Sequence, residues 1–235
     1  MTALSIRKNP LLALIGAVVT AFSTANPSQA FSLITSRSAL GANDTLNWNV
    51  LGSAGTPVSS PFTIGSTSGN TTITGSIPSG FFERRDQNNG WGGNFAPADA
   101  LLWTRDKPGP LQLNFSQAVR GAGTQIQIDS YSLFTAVIEA FNSGGTSLGS
   151  FTLAGDSTNA GDNSAIFIGV LSDNADIARL LLNVQDNNDF AINQVSFNTT
   201  GGTSIPTPAL LPGLIGVGIG ILRKRKAEAT RDGEA

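Results

Sequence analysis

The chain has no cysteine and no histidine, and only one tyrosine and one methionine in 235 residues. Without cysteine there is no disulfide, no thiol nucleophile and no thiolate metal site. Without histidine there is no imidazole base, no Ser-His-Asp triad and no usual catalytic zinc site. Charge is scarce too: Lys, Arg, Asp and Glu make up 13% of the residues. That excludes a nucleic-acid-binding surface, which needs clustered cations. It also differs from the charge-rich composition of most disordered chains. No Gly-rich phosphate loop stands between a strand and a helix, so nucleotide chemistry has no support. Gly, Ser, Thr and Asn are what the chain has in abundance.

Both ends read as addresses. Residues 1–30 form a secretory signal, with Arg7 and Lys8 before an apolar run over 11–22 and small residues at Ser28 and Ala30. Cleavage is expected between Ala30 and Phe31. A retained membrane-anchoring helix is the alternative, for which the run is short. At the other end, residues 205–222 carry no charge, and Arg223, Lys224, Arg225 and Lys226 follow at once. A short apolar helix with a basic stop is the pattern of a transmembrane segment with a cytoplasmic C-terminus. Pro206 and Pro208 place its start near Ala209. Gly213, Gly216, Gly218 and Gly220 leave one side slim, suited to close packing against a membrane partner.

The order Pro206-Thr207-Pro208-Ala209, apolar Gly-rich helix, basic cluster resembles the PEP-CTERM sorting signal in its PTPA variant, which is associated with cyanobacteria. Thr207 stands where the usual motif has Glu. The resemblance covers residues 206–235. It implies recognition by an exosortase, a membrane transpeptidase-like protease that cuts near the Pro-x-Pro and removes the helix. Export by the general secretion machinery, transient anchoring in the membrane, and then a cell-surface or extracellular location are what it further implies.

The part between the signals is acidic. Residues 31–205 hold seven basic side chains against 13 carboxylates, 7 − 13 = −6. Such a domain has no electrostatic attraction to nucleic acid or anionic lipid.

Its second half alternates like strands at 111–115, 125–129, 134–141, 150–154, 179–184 and 190–197, with a bulge expected near Gln194. The continuous apolar run at 165–170 reads as a strand buried on both faces. Turn clusters lie at 142–145, 155–163 and 186–189. Gly121 and Gly123 suit a turn or bulge, and residues 173–177 one helical turn at most. In the first half, 61–64 and 71–74 form an edge hairpin or a flexible linker. Six to seven short strands predict an all-β domain over 31–197, a β-sandwich or jelly roll, followed by a linker over 198–205. Residues 118–197 also resemble the sandwich domains often carried by exported proteins of this kind, on the segments 150–153, 161–170 and 189–197. That likeness assigns no catalytic residue.

Chemistry has few carriers. Trp91, between glycines in a loop by composition, is either a ring open to the flat face of a sugar or a plug folded back on the sandwich. Trp103 reads as core. Asp156, Asp162 and Asn163, then Asp173, Asn174 and Asp176, then Asp186 to Asp189 are Asp/Asn groups, either turn chemistry or ligands for a structural calcium. Asp186 and Asp189 head the calcium candidates. Paired carboxylates would be needed for glycoside hydrolysis, and the domain has two glutamates, Glu83 and Glu139. Glu83, Asp86, Asp99 and Asp106 interleave with Arg84, Arg85, Arg105 and Lys107, which ordinary ion pairs also explain. The sequence thus predicts a non-catalytic exported β-sandwich, with a lectin-like module acting on exopolysaccharide as the alternative and a glycoside-active enzyme behind it.

Overall fold

A computed structural model describes residues 30–185 and 188–201. Its first half holds β1 (Phe31–Ile34), β2 (Asp44–Leu46), β3 (Pro57–Val58), β4 (Phe62–Gly65), β5 (Thr72–Ser76), β6 (Phe82–Gln87), β7 (Gly90–Trp91) and β8 (Ala100–Trp103). Its second half holds β9 (Leu111–Val119), β10 (Gly121–Ile128), β11 (Leu133–Phe141), β12 (Ser147–Asp156), β13 (Ile166–Ser172), β14 (Ile177–Val184), β15 (Phe190–Ile192) and β16 (Val195–Asn198). Two short 3-10 turns, Ser38–Leu40 and Trp48–Leu51, interrupt the early strands.

These strands make two sheets. One runs β1-β13-β10-β15-β8-β6-β3, with β2, β16 and β7 attached beside that path. The other runs β12-β11-β14-β9-β5-β4. The arrangement is an all-β sandwich, because alternate residues of each sheet meet in one apolar layer. Leu111, Leu113 and Phe115 of β9 point into it, as do Ala136, Ile138 and Ala140 of β11 and Leu180, Leu182 and Val184 of β14. Ile126, Ile128, Ile168 and Val170 answer them from the ten-stranded sheet.

The strands expected in the second half are present. The 61–64 and 71–74 segments pair as the β4–β5 hairpin, with β4 at the sheet edge. Pro61, which lacks a donor, precedes β4, where no ladder bond is needed from it. The ladder breaks at Asn193 and Gln194, between β15 and β16.

Other expectations need correction. Among the described residues the second half holds eight strands where six or seven are expected, since 190–197 splits into β15 and β16, and the first half adds eight short ones of which the sequence pattern marked only 61–64 and 71–74. Gly121 and Gly123 are not in a turn but inside β10, paired with Leu171 and Gly169. A Cβ on Gly123 would lie 2.6 Å from the Gly169 Cα and 2.7 Å from the Phe167 ring. Glycine is there for close approach, not for a bend. Residues 173–175 form a bend and Ile177 already belongs to β14, within the expected limit of one helical turn at most. The expected linker begins late, since Asn198 belongs to β16 and Thr199 is held by Asn43 Oδ1 at 2.9 Å.

The expected signal up to residue 29, the Pro206, Thr207, Pro208 and Ala209 motif, its apolar helix and the Arg223, Lys224, Arg225 and Lys226 cluster lie outside the described residues, as does Asp186. Among the described residues no helix is long and apolar enough to cross a membrane.

Candidate functional site

The site begins with a strand that has no polar face. β8 reads Ala-Leu-Leu-Trp and is buried at all four positions. Leu102 faces the main core, while Leu101 and Trp103 face the other side of the ten-stranded sheet. That side needs an apolar cover, and the 88–99 loop supplies it. Trp91 and Phe95 close over Leu101, Trp103, Ala165 and Ala191 as a second small core. The Trp91 ring centre lies 6.1 Å from that of Trp103 and 6.3 Å from that of Phe95.

Trp91 is therefore 4% exposed and offers no face to a ligand. Of the two readings open in the sequence, the ring is the plug. Gly92 and Gly93 allow the tight fold-back, since a Cβ on Gly93 would sit 2.4 Å from both Trp91 Nε1 and Gln127 Oε1.

The same loop builds a polar floor. Asn94 is buried and fully engaged. Its Nδ2 donates to Thr158 Oγ1 (2.7 Å) and Ser164 Oγ (2.8 Å). Its Oδ1 accepts from Thr158 N (2.6 Å) and Gln127 Nε2 (2.9 Å). Backbone bonds from Gly161 N to Gly93 O (2.7 Å) and from Ala165 N to Asn94 O (3.1 Å) lace this loop to the 157–165 loop. Ser157 ties the latter to the 129–132 turn through Ser132 O at 2.9 Å.

Where these three loops meet β11 and β12, an open cleft of about 530 Å³ forms. That volume is within the range of small-molecule sites, about 300–1,000 Å³. Asn94, Thr158 and Ser164 give it hydroxyls and an amide, Asp156 and Asp162 give it carboxylates, and Leu133 an apolar wall. Leu133 is 81% exposed. Tyr131 stands at the same junction, 59% exposed, its hydroxyl donating to Gly92 O at 3.2 Å beside Asn159. Asp162 Oδ1 accepts from Ser164 N (3.0 Å) and Ser164 Oγ (2.5 Å), and these bonds lower its pKa. The exposed Asp156 carboxylate has no hydrogen-bond partner among the described residues. Among the described residues no Lys or Arg lines the cleft.

The other sequence candidates are engaged elsewhere. Glu83 is buried, with Oε1 2.6 Å from Arg85 Nη2 and Oε2 3.1 Å from Arg105 Nη1. Asp86 pairs with Arg84 at 2.6 Å, and Asp99 accepts from Asn193 Nδ2 at 2.9 Å. Glu139 lies in the opposite sheet and accepts from Ser147 Oγ at 2.7 Å. Two glutamates in different sheets, each tied to its own partners, do not form a paired carboxylate site. Asp189 Oδ2 accepts from Trp103 Nε1 (2.8 Å) and Asp106 N (3.1 Å), so that oxygen anchors the 104–110 loop to β8. Among the described residues no group of three or more carboxylates is placed to hold a metal ion.

Sequence reasoning missed Tyr131 and the Asn94 floor. The signal for the fold-back was the unbroken apolar run at 100–103, which required a cover on its second face. Tyr131 had none, as one aromatic within a polar turn.

Two facing sheets with a loop-built cleft at one end define the class, an all-β sandwich with a ligand-sized opening. No family model matches the chain, and no curated protein matches it. Among solved structures, the carbohydrate-binding module CsCBM6-3 from Clostridium stercorarium, in complex with cellobiose, is similar at 9% identity and a TM-score of 0.31, over 61% of this chain and 97% of that one. A DUF4465 family protein from Bacteroides caccae is similar at 8% identity and a TM-score of 0.31, over 69% of this chain and 99% of that one. At that TM-score neither likeness bears on function.

Proposed function

We propose that this is an exported, non-catalytic surface or matrix protein whose β-sandwich binds polysaccharide at the cleft beside Tyr131. The observation that carries the binding reading is a cleft with an apolar wall at Leu133 and two exposed carboxylates, Asp156 and Asp162, next to the turn that carries the exposed Tyr131 ring. A pyranose presents an apolar C–H face and a rim of hydroxyls, and such a site answers both. Support for a non-catalytic role comes from the glutamates, since Glu83 is held by two arginines and lies far in the chain and in the fold from Glu139. In binding to immobilised polysaccharides, Tyr131→Ala should lower affinity about tenfold, the value of about 1.4 kcal/mol of lost ring contact. Trp91→Ala is not the test of this site, because that ring is packed inside. Unchanged binding by Tyr131→Ala would remove the assignment.

Routing is proposed from the two ends. The signal ending at Ala30 and the Pro206-Thr207-Pro208-Ala209 motif, followed by a charge-free apolar stretch and four basic residues, support export, transient anchoring and exosortase processing. Replacing Pro206 and Pro208 with Ala in the native host should leave the C-terminus uncut and the protein in the membrane. Unaltered processing and location would end the sorting claim.

A further inference from the structure

We infer that the cleft selects uncharged polysaccharide and rejects chains built of uronic acids. This rests on the polysaccharide reading above and narrows it by charge. Two of its lining side chains, Asp156 and Asp162, are exposed carboxylates at the mouth, and no lining residue is cationic. Asp129, also exposed, begins the turn that carries Tyr131. A carboxylate on a sugar seated in the cleft would lie against Asp156 and Asp162, with no cationic side chain among the lining residues to receive it. Like charges within a few ångströms are repelled, and at physiological salt the screening length of about 8 Å is too long to cancel this across a cleft.

Neutral sugars meet the opposite situation. Their hydroxyls are donors, and a free carboxylate is the strongest acceptor a side chain offers. Asp156 has no donor among the described residues to give up when a hydroxyl arrives. Asp162 keeps one oxygen on Ser164 and is thereby held in place. Tyr131 supplies the apolar face, and Leu133 the wall beside it. The floor under Asn94 is already satisfied within the protein, so it sets shape and does not need to rearrange on binding.

The test uses the full chain in detergent on immobilised polysaccharides: a neutral glucan, a neutral galactan and polygalacturonate. The expected result is retention by at least one neutral chain and at least tenfold weaker binding to polygalacturonate at physiological salt. Tyr131→Phe should keep the neutral binding and Tyr131→Ala weaken it about tenfold. Joint Asp156→Asn and Asp162→Asn replacement should reduce the preference for the neutral chain at least fivefold, and both positions are exposed, so the fold survives the change. Equal or stronger binding of polygalacturonate by the wild type overturns the inference while leaving polysaccharide binding in place. A preference unchanged in the double variant overturns it too. Binding to none of the three overturns both this and the proposed function.

Discussion

Asn193 shows what a single residue holds in this fold. It sits buried where β15 stops and β16 starts. Its Oδ1 accepts from Gln125 N (3.1 Å) and Arg37 Nη2 (2.9 Å). Its Nδ2 donates to Gln125 Oε1 (2.6 Å) and Asp99 Oδ2 (2.9 Å). Its carbonyl accepts from Trp48 Nε1 at 2.8 Å and from Thr124 Oγ1 at 2.9 Å. Burial lowers the Arg37 pKa and the Asp99 charge opposes that, so the amide joins two charged groups through one side chain. Alanine at this position keeps the carbonyl bonds and removes the side-chain bonds, including a longer one from Thr124 Oγ1 to Oδ1 at 3.3 Å. Buried partners left without water cost more than the bonds themselves contribute. Asn193→Ala should therefore lower stability by about 2–3 kcal/mol in urea unfolding. A loss well under 1 kcal/mol would show that the break between β15 and β16 does not depend on this amide.

At the scale of elements, what could be read in the sequence depends on what lies outside each strand. β9, β11 and β14 face the core on one side and solvent on the other, so their alternation is plain and was read correctly. β6 has the same geometry with a different exterior. Its sequence, Phe-Glu-Arg-Arg-Asp-Gln, looks like a charged surface segment, yet Glu83, Arg84 and Gln87 are buried. They are matched by Arg85, Asp86 and the 88–99 loop, pairings that no periodicity reports. Gln125 and Gln127 in β10 read as solvent-facing for the same reason. They face Ala165 O, Asn193, Asn94 and Ser157 instead. A sheet covered by polar loops inverts the rule that alternate polar residues point to water. The cleft was illegible on this account: its parts come from 91–95, 131–133 and 154–166, and only the fold-back of the Trp91 loop brings them together.

At the scale of the whole molecule, Asp44 joins the two sheets. It belongs to β2 in the ten-stranded sheet, and its carboxylate accepts from Ser68 N (3.0 Å) and Ser68 Oγ (2.6 Å) in the turn between β4 and β5 of the six-stranded one. Thr45 N adds a third bond at 2.8 Å. Burial alone would raise its pKa, but hydrogen bonds from Ser66, Ser68 and Thr45 together outweigh burial and hold it below the ordinary value. A depressed folded pKa stabilises fully above the unfolded value, and that stability is lost as pH falls through the folded value, here below about pH 4. Asp129 has the opposite sign. Though exposed, its carboxylate is partly desolvated, which raises its pKa; the charges of Asp189 and Asp106 add to that, and Arg85 opposes it. Its ionisation weakens the fold, and acid relieves the strain. The two groups can be separated by variants. Asp44→Asn should unfold at a lower temperature than wild type at pH 7 and converge with it as pH falls below about 4 and through the depressed folded pKa, where the wild-type carboxylate takes up its proton. Asp129→Asn should unfold at a higher temperature at pH 7, and that gain should shrink as pH falls through the raised folded pKa, above about pH 4 and so before the Asp44 effect sets in. A difference between Asp44→Asn and wild type that stays constant with pH would mean that the tie between the sheets is one of shape and not of charge.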